Sequence, residues 1–167
     1  LCLVLFVSCP GLAQGLDEAA ALTQQVTQLY KQGRFSEALP LAQRALAIRE
    51  KALGPDHPGV AESLNNLAVL YQRQGRYVDA EPLYKHSLAI REKALGPNHP
   101  DVAQSLNSLA LLYKDQGRYA DAEPLYRRSL EMREKALGPD HPDVATALNS
   151  LAELYRVQGR DTDVEPL

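Results

Sequence analysis

Hydrophobic residues recur with helical spacing along most of the chain. Between residues 60 and 74 the apolar positions fall at i, i+3, i+4 and i+7, the spacing of one helical stripe: Leu64, Leu67, Ala68 and Tyr71. A second stretch, from about 78 to 95, continues the three-to-four spacing with Ala80, Leu83, Tyr84, Ser87, Leu88 and Arg91. The pattern predicts two amphipathic helices, one after the other.

Glycine and proline mark the ends of these two helices. Pro58 suits the first turn of a helix, and Gly75 is typical of the left-handed residue that closes one. Gly96 and the following proline end the second helix. Pro82 is tolerable if that helix begins near Asp79, because the first four backbone N–H groups of a helix have no helical partner.

The two predicted helices belong to an internal repeat. The segment Gly-Pro-Asp-His-Pro at 54–58 recurs, with Asn for Asp in one copy, at 96–100 and 138–142, which gives a period of 42 residues. Residues 60–101 match 102–143 at 31 of 42 positions without a gap. A fixed period of this length indicates stacked units, here about 18–59, 60–101, 102–143 and a partial unit 144–167.

These residues resemble a tetratricopeptide repeat. The family's pattern of small and large side chains is present in the second unit as Leu64, Leu67, Ala68, Tyr71, Gly75, Tyr77, Ala80 and Tyr84. The 42-residue period and the segments Ser63–Tyr71 and Ala80–Tyr84 are similar to the kinesin light chain subclass. Over residues 18–167 the resemblance implies an all-α fold, a right-handed α-solenoid of stacked antiparallel helix hairpins.

The first and last units depart from the family pattern. The first has Thr23, Val26 and Thr27 where the pattern has Leu, Leu and Ala, which suits a terminal unit whose outer face meets water. In the last unit Asp161 replaces the aromatic residue of the turn, and its second helix has barely begun. Either the sequence is cut within a repeat or this end frays.

The resemblance also implies where a ligand binds. In the family, the first helices of successive units line a concave groove that holds a peptide or protein ligand. The positions that face it here are Glu62, Asn65, Val69, Gln72 and Arg73, then Gln104, Asn107, Leu111, Lys114 and Asp115, then Asn149, Glu153 and Arg156. The family's carboxylate-clamp type has Asn where this chain has Val69, Leu111 and Glu153, so a clamp for a C-terminal carboxylate is not expected.

One asparagine recurs in each of three units. Asn65, Asn107 and Asn149 would form a ladder along the groove, and an amide can both donate to and accept from a peptide backbone. Asn is a mediocre helix former, so three copies at one position invite an explanation. One explanation is contact with a ligand. The alternative is that each asparagine bonds a neighbouring loop or recurs only because the unit was duplicated.

Differences between the two most similar units concentrate on the predicted groove. Five of their eleven differences lie in the first helix, and four of these five are groove positions: Glu62/Gln104, Val69/Leu111, Gln72/Lys114 and Arg73/Asp115. A constant scaffold with a varied recognition surface explains this pattern. Drift at exposed positions explains it nearly as well.

An apolar run opens the chain and suggests a leader. Residues 1–7 are apolar and residues 8–15 are mostly small, typical of the core and cleavage region of a signal peptide. We predict 1–15 as a signal peptide remnant and 16–167 as the array, with export to the periplasm or outside; without a leader the array is cytoplasmic. Pro10 and Gly11 disfavour a helix that continues into the array.

Two other interpretations of this segment stay open. Cys9 can end a lipid-attachment sequence, or the run can pack on the first hairpin. Because the chain begins at Leu1 without a basic segment, we expect its natural start to lie upstream.

Composition and motifs limit the function. A net charge of −3, with both signs interleaved, argues against a nucleic-acid partner. His57, His99 and His141 are 42 residues apart at helix starts, where a loop or capping role is favoured over metal binding. Phosphate loops and hydrolase or metalloprotease motifs are absent.

We therefore predict a protein-interaction scaffold, not an enzyme, with no cofactor and no small-molecule substrate. The alternatives are self-association through an uncapped C-terminal end, and a sensing or oligomerising arm of a larger protein.

Overall fold

The computed structural model describes residues 10–164 and contains seven α-helices in that range. In chain order they are α1 (Pro10–Lys31), α2 (Phe35–Leu53), α3 (Pro58–Arg73), α4 (Tyr77–Leu95), α5 (Pro100–Asp115), α6 (Tyr119–Leu137) and α7 (Pro142–Val157). A short 3₁₀ turn follows at Asp161–Asp163.

Each helix packs against its neighbours in sequence, which makes a row of antiparallel hairpins. Three residues join α3 to α4, and four join α4 to α5. Gly75 has φ +73° and Gly96 has φ +88°, a conformation that side-chain-bearing residues adopt only with strain. The predicted all-α solenoid of stacked hairpins is confirmed.

Histidines cap three of the first helices of the hairpins. Nδ1 of His57 accepts a hydrogen bond from the backbone N–H of Gly59 at 3.0 Å, and His99 does the same for Asp101 at 3.1 Å. His141 repeats the bond with Asp143. Each imidazole satisfies one of the N–H groups that a helix start leaves unpaired. The predicted capping role of these histidines is confirmed.

The explanation given above for Pro82 is wrong. Helix α4 begins at Tyr77, two residues before the expected start, so Pro82 is its sixth residue and lies beyond the unpaired first turn. The carbonyl of Val78 therefore loses its helical partner. Val78 is 88% exposed, so water can take the place of the missing N–H. Pro40 and Pro124 lie at the equivalent place in α2 and α6.

A hydrophobic seam runs from hairpin to hairpin. One group of buried residues spans α3 to α7 and consists of Ala68, Ala80, Tyr84, Leu109, Ala110, Leu112, Tyr113, Ala122, Tyr126, Leu151, Leu154 and Tyr155. The rings of Tyr84, Tyr126 and Tyr155 are each at most 2% exposed. Because these side chains are shared between neighbours, one hairpin cannot bury its apolar stripe alone.

The outer face of the first hairpin is polar. Buried Val60, Leu67 and Leu70 of α3 correspond by the repeat to Glu18, Gln25 and Gln28 of α1, which are exposed. These three side chains face solvent. The same 42-residue offset pairs Leu64 and Ala68 with Leu22 and Val26, which are buried, so the alignment that put Thr23, Val26 and Thr27 at the positions of Leu64, Leu67 and Ala68 is wrong by one residue.

The expectation about Pro10 and Gly11 is wrong. Helix α1 begins at Pro10, where a missing N–H costs nothing, and continues through Gly11 into the array. The rest of the proposed leader, residues 1–9, lies outside the described residues, and export stays a prediction. In the described part of the chain, no helix combines the length and apolar character that a bilayer crossing needs.

Candidate functional site

Helices α1, α3, α5 and α7 form one side of the molecule, called here the groove face. Side-chain bonds between neighbouring members tie it together. The Arg73 Nε on α3 donates to the Tyr30 hydroxyl of α1 at 2.8 Å, and the Gln72 Nε2 donates to Asp115 Oδ2 of α5 at 2.6 Å. The predicted ligand positions of α3 and α5 therefore lie side by side.

Three of the predicted ligand residues are used within the protein. Gln72 is buried: besides its bond to Asp115, its Oε1 accepts from the Tyr84 hydroxyl at 2.7 Å. Burial raises the pKa of Tyr84 well above its ordinary value, so this phenol remains a donor. Arg73 and Asp115 are exposed, but each holds a neighbouring helix. These bonds set the spacing of the groove-face helices.

The junction between α5 and α7 lacks such a tie. Lys114 occupies the position of Gln72, and Val157 that of Asp115. Lys114 is half-buried, while Arg156 and Val157 are exposed. Within residues 10–164 no side-chain hydrogen bond joins α5 to α7 at this level.

Two asparagines of the groove face have buried, unpaired oxygens. Asn65 and Asn107 are half-buried, and the Oδ1 of each is closed to solvent without a hydrogen-bond partner in the described chain. Asn149, the third copy, is exposed. An unpaired buried acceptor costs about 1–3 kcal/mol. No described loop takes the bond that the alternative interpretation requires.

An apolar pocket opens between α1 and α3. Its volume is about 280 Å³, and its walls are Val26, Thr27, Tyr30, Asn66, Val69 and Leu70. Val69 and Leu111 are half-buried in the middle of the face, whereas Glu153 at the same position of α7 is exposed. The face thus offers apolar contact over α1, α3 and α5 and a carboxylate over α7.

A second, polar pocket of about 430 Å³ lies between α3 and α5. It is lined by Pro58, Gly59, Glu62, Asn65, Asn66, Arg91, Asp101 and Gln104. Glu62 and Gln104, two of the predicted ligand positions, line this pocket and are exposed. Glu62 also lies 3.8 Å from Arg49 of the preceding hairpin, which offsets its charge.

The sequence pattern placed Arg91 on the apolar stripe of α4 but did not explain it. Arg91 as a whole is 7% exposed, and its guanidinium donates from Nη1 to the Asp101 carbonyl at 3.0 Å and to the Ser105 hydroxyl at 2.8 Å. Burial lowers the pKa of Arg91. Arg49 bonds Ser63 in the same way. One sequence signal could have indicated this structural role: a charged residue recurs within an apolar stripe at the 42-residue period, as Arg49 and Arg91.

A recurrent contact of Arg, Tyr and Glu was also missed. Arg118 stacks 4.0 Å from the centre of the Tyr113 ring and pairs with Glu81 of the preceding hairpin at 2.9 Å. Arg160, Tyr155 and Glu123 repeat the arrangement one unit later. A hydrogen bond from Lys85, with further help from Tyr113 and Arg118, holds the pKa of Glu81 below its usual value.

The pKa of Glu123 is lowered as well. Burial acts to raise the pKa of Glu123, but hydrogen bonds from Arg160, Arg127 and Tyr155 outweigh it and hold the pKa below its usual value. Both carboxylates therefore stay ionised at neutral pH and bind one hairpin to the next.

The exposed and half-buried groups of the groove face are mainly amides, aliphatic side chains and isolated charges. Among the described residues no group of three or more His, Cys, Asp or Glu side chains is placed to hold a metal ion.

Sequence relatives share only part of this chain. Nephrocystin-3 of Xenopus tropicalis is 43% identical over 65 residues, which are 38% of this chain and 5% of that protein. Nephrocystin-3 of Homo sapiens is 56% identical over 39 residues, 23% of this chain and 3% of the relative. The chain therefore spans at most a twentieth of these much longer proteins.

Solved structures match most of the chain. A protein described as a kinesin light chain from Podosopora anserina, with nearly identical TPR-like repeats, gives a TM-score of 0.79 at 27% identity, over 87% of this chain and 69% of that one. BtubC (BKLC) from P. vanneervenii gives 0.79 at 23% identity, over 89% of this chain and 59% of that one, which shows the fold alone.

The family model of the tetratricopeptide repeat matches residues 17–93, 64–135 and 101–165. These three overlapping matches cover nearly all of the described helices and agree with the 42-residue units seen in the structure. The chain belongs to the tetratricopeptide repeat family, and its repeats are of the kinesin light chain-like kind.

Proposed function

We propose that this chain is a protein-interaction scaffold that holds a peptide or protein segment against its groove face. The observation that carries the proposal is the pair of buried, unpaired Oδ1 atoms of Asn65 and Asn107. A core residue with this defect is selected against unless it serves a purpose, because pairing or removal recovers about 1–3 kcal/mol. Because both oxygens are closed to solvent, ligand binding requires each amide to rotate toward the groove, where a backbone N–H of the ligand supplies the missing bond.

The rest of the groove face supports the same function. The pocket of about 280 Å³ between α1 and α3 can receive an apolar side chain of the ligand. The amides give hydrogen bonds that do not depend on ligand sequence, whereas Val69, Leu111 and Glu153 differ between units and supply selectivity.

A fold of this kind holds a peptide in one structural neighbour. The first TPR of Spaghetti (RPAP3) is bound to the HSP90 peptide SRMEEVD, and it matches this chain at a TM-score of 0.60 with 18% identity, over 86% of this chain and 95% of that one. The likeness extends to the fold. Because Val69, Leu111 and Glu153 replace the asparagine of a carboxylate clamp, we propose that this chain binds internal segments and not free C-termini.

The proposal is tested with a random 12-residue peptide library displayed on phage. We expect the wild-type chain to select peptides that bind it in solution, as measured by fluorescence anisotropy. Replacing Asn65, Asn107 and Asn149 together with Ala should weaken binding at least tenfold, because several backbone hydrogen bonds are lost. Asn98→Ala, in the loop before α5, is the matched control and should leave affinity unchanged.

Stability of the same variants separates function from structure. Asn65→Ala and Asn107→Ala remove an unpaired buried acceptor and introduce a better helix former, but they also lose the packing of a half-buried side chain. The free energy of unfolding should therefore stay constant or rise by up to about 1 kcal/mol. Urea denaturation measures it. Loss of more than 1 kcal/mol, or unchanged peptide affinity in the triple variant, would contradict the assignment of the asparagines to ligand binding.

A second candidate function is self-association through α7. Ala103 and Leu106 of α5 are at most 1% exposed beneath α6, whereas their counterparts Ala145 and Leu148 of α7 are exposed and half-buried. Another copy of the chain can cover this apolar strip. Sedimentation velocity over a hundredfold concentration range tests the idea; an unchanged monomer throughout eliminates it.

A further inference from the structure

We propose that the histidine caps form an acid-sensitive element of the fold, in which protonation of His57 uncaps the first turn of α3, while a neighbouring carboxylate compensates His99 and His141. The proposal goes beyond the proposed function and does not depend on any ligand. It follows from the role of Nδ1 in each cap and from the residue that stands two positions after each histidine.

Each cap requires a neutral imidazole. Nδ1 accepts a backbone N–H in all three copies, at 3.0 Å in His57 and at 3.1 Å in His99 and His141. A ring nitrogen that accepts a hydrogen bond carries no proton, so the ring proton is on Nε2. Protonation turns Nδ1 into a donor that faces another donor, and the bond is lost. Histidine changes its charge between about pH 5 and pH 8, so mild acid is sufficient.

A charged imidazole is unfavourable at a helix start for a second reason. The N-terminus of a helix carries partial positive charge from its aligned peptide dipoles, so an added cation destabilises the folded state. Two of the three copies offset this cost. Asp101 Oδ2 lies 3.9 Å from Nδ1 of His99, and Asp143 Oδ2 lies 3.9 Å from Nδ1 of His141. In these two copies a protonated ring pairs with the carboxylate and stays at the helix start.

The first cap lacks this carboxylate. Gly59 occupies the position that Asp101 and Asp143 take in the later units, so the residue two places after His57 has no side chain. Within residues 10–164, His57 forms no ion pair of the kind seen in the other two copies. When His57 is protonated, the ring has no carboxylate to pair with and the N–H of Gly59 loses its acceptor.

The charged groups around the first loop are already paired with one another. Asp56, which precedes the first cap, forms an ion pair with Lys93 of α4, and the hydrogen bond from Lys93 lowers the pKa of Asp56. His86 of α4 acts on Asp56 in the same direction. Glu62 of α3 lies 3.8 Å from Arg49 of α2. The two carboxylates closest to the first cap along the chain are therefore each engaged by a cation.

Loss of this cap reaches the groove face. Val60 and Ala61 donate backbone bonds to the His57 carbonyl at 2.8 and 3.3 Å, so His57 organises the whole first turn of α3. Pro58 and Gly59 of this turn line the polar pocket of about 430 Å³ between α3 and α5. Acid therefore loosens one wall of the pocket, while the start of α5 on the other wall remains in place.

Thermal unfolding at about pH 7.5 and about pH 5.5 tests the proposal with His57→Asn. Asparagine is a good N-cap but does not titrate. The melting temperature of the wild-type chain should fall on acidification, and the fall should be about 2–4 °C smaller in His57→Asn, the effect of one cap. Glu81 and Glu123 keep their charge in this range, because the fold holds the pKa of each below the ordinary value of 4.5.

Two matched variants separate the first cap from the others. His99→Asn should show the same fall in melting temperature as the wild-type chain, because Asp101 compensates the charge of His99. Asp101→Asn removes that carboxylate and should increase the fall by about 2–4 °C, because the second cap then resembles the first. Circular dichroism at about pH 7.5 checks that all variants keep the helical content of the wild-type chain.

Hydrogen exchange measured by NMR locates the response. On acidification the protection factor of the Gly59 amide should fall about fivefold, and that of the Asp101 amide less than about twofold. The loss at residue 59 should disappear in His57→Asn. An equal fall in melting temperature in the wild-type chain and His57→Asn overturns the proposal, and so does an equal loss of protection at Gly59 and Asp101.

Discussion

At the scale of single residues, positions made equivalent by the repeat have different neighbours and different roles. Gln72 joins Tyr84 and Asp115 through two hydrogen bonds and is buried. Lys114 is its counterpart one unit later, and the position of Asp115 is then taken by Val157, whose side chain cannot accept a hydrogen bond. The role of a side chain in one unit therefore depends on which residue the next unit places at the facing position.

This difference predicts unequal costs for the same truncation. Gln72→Ala leaves the Tyr84 hydroxyl buried without an acceptor and should lower the free energy of unfolding by about 1–3 kcal/mol. Lys114→Ala is the matched control, because no hydrogen bond of Lys114 is present in the described structure, and should cost less than about 0.5 kcal/mol. Urea denaturation of both variants checks the prediction; equal effects would contradict the role of Gln72.

At the scale of helices, the ends of each element are fixed by local chemistry. A proline and a histidine cap start α3, α5 and α7, and a glycine with positive φ follows α2, α4 and α6. Pro82 shows the limit of local rules: the core contacts of Ala80 and Tyr84 hold α4 together across a missing hydrogen bond.

The histidine caps predict a measurable loss of stability when one of them is replaced. His99→Ala removes the acceptor for the Asp101 N–H and should destabilise the chain by about 1 kcal/mol. His86→Ala, at an exposed position within α4, removes the same side chain without a cap and should change stability by less than about 0.5 kcal/mol. Thermal unfolding of the two variants compares them directly.

The contacts of Glu81 and Glu123 predict a pH dependence. Because both folded-state pKa values lie below the ordinary glutamate value of 4.5, these groups stabilise the fold at neutral pH and lose that effect as pH falls through the lowered values. Glu81→Gln with Glu123→Gln should unfold more easily than the parent at pH 7 and should show a smaller further loss on acidification. Parallel curves for both proteins between pH 7 and about pH 3 would rule this out.

At the scale of the whole molecule, the hydrophobic core runs between neighbouring hairpins and is not enclosed by any single one. Among the described helices, each packs mainly against the helix before it and the helix after it in the chain. A stack with such contacts is elongated, because each unit contacts only the units before and after it.

The elongation has a direct solution measurement. A compact protein of this length has a radius of gyration of about 15 Å. Small-angle X-ray scattering from the monomer should give a clearly larger value and a distance distribution with a long tail. A symmetric distribution centred on the compact value would contradict the stacked arrangement.

The sequence alone determined the elements and their order. The i, i+3, i+4 spacing, the helix-ending glycines and the 42-residue period are local or periodic signals, so α3 and α4 could be predicted to within two residues and the histidines recognised as caps. Local rules misjudged Pro10 and Pro82, because a proline is acceptable wherever packing or water compensates for its missing N–H.

Tertiary structure decided which of the predicted ligand residues are bonded within the protein. Gln72, Arg73 and Asp115 looked like ligand positions, yet each is bonded to a neighbouring unit through residues about 43 positions away. Asn65 and Asn107 looked the same in sequence and turned out to have unpaired oxygens. Periodicity fixes the side of a helix on which a residue lies, but hydrogen-bond partners depend on distances between helices that only packing sets.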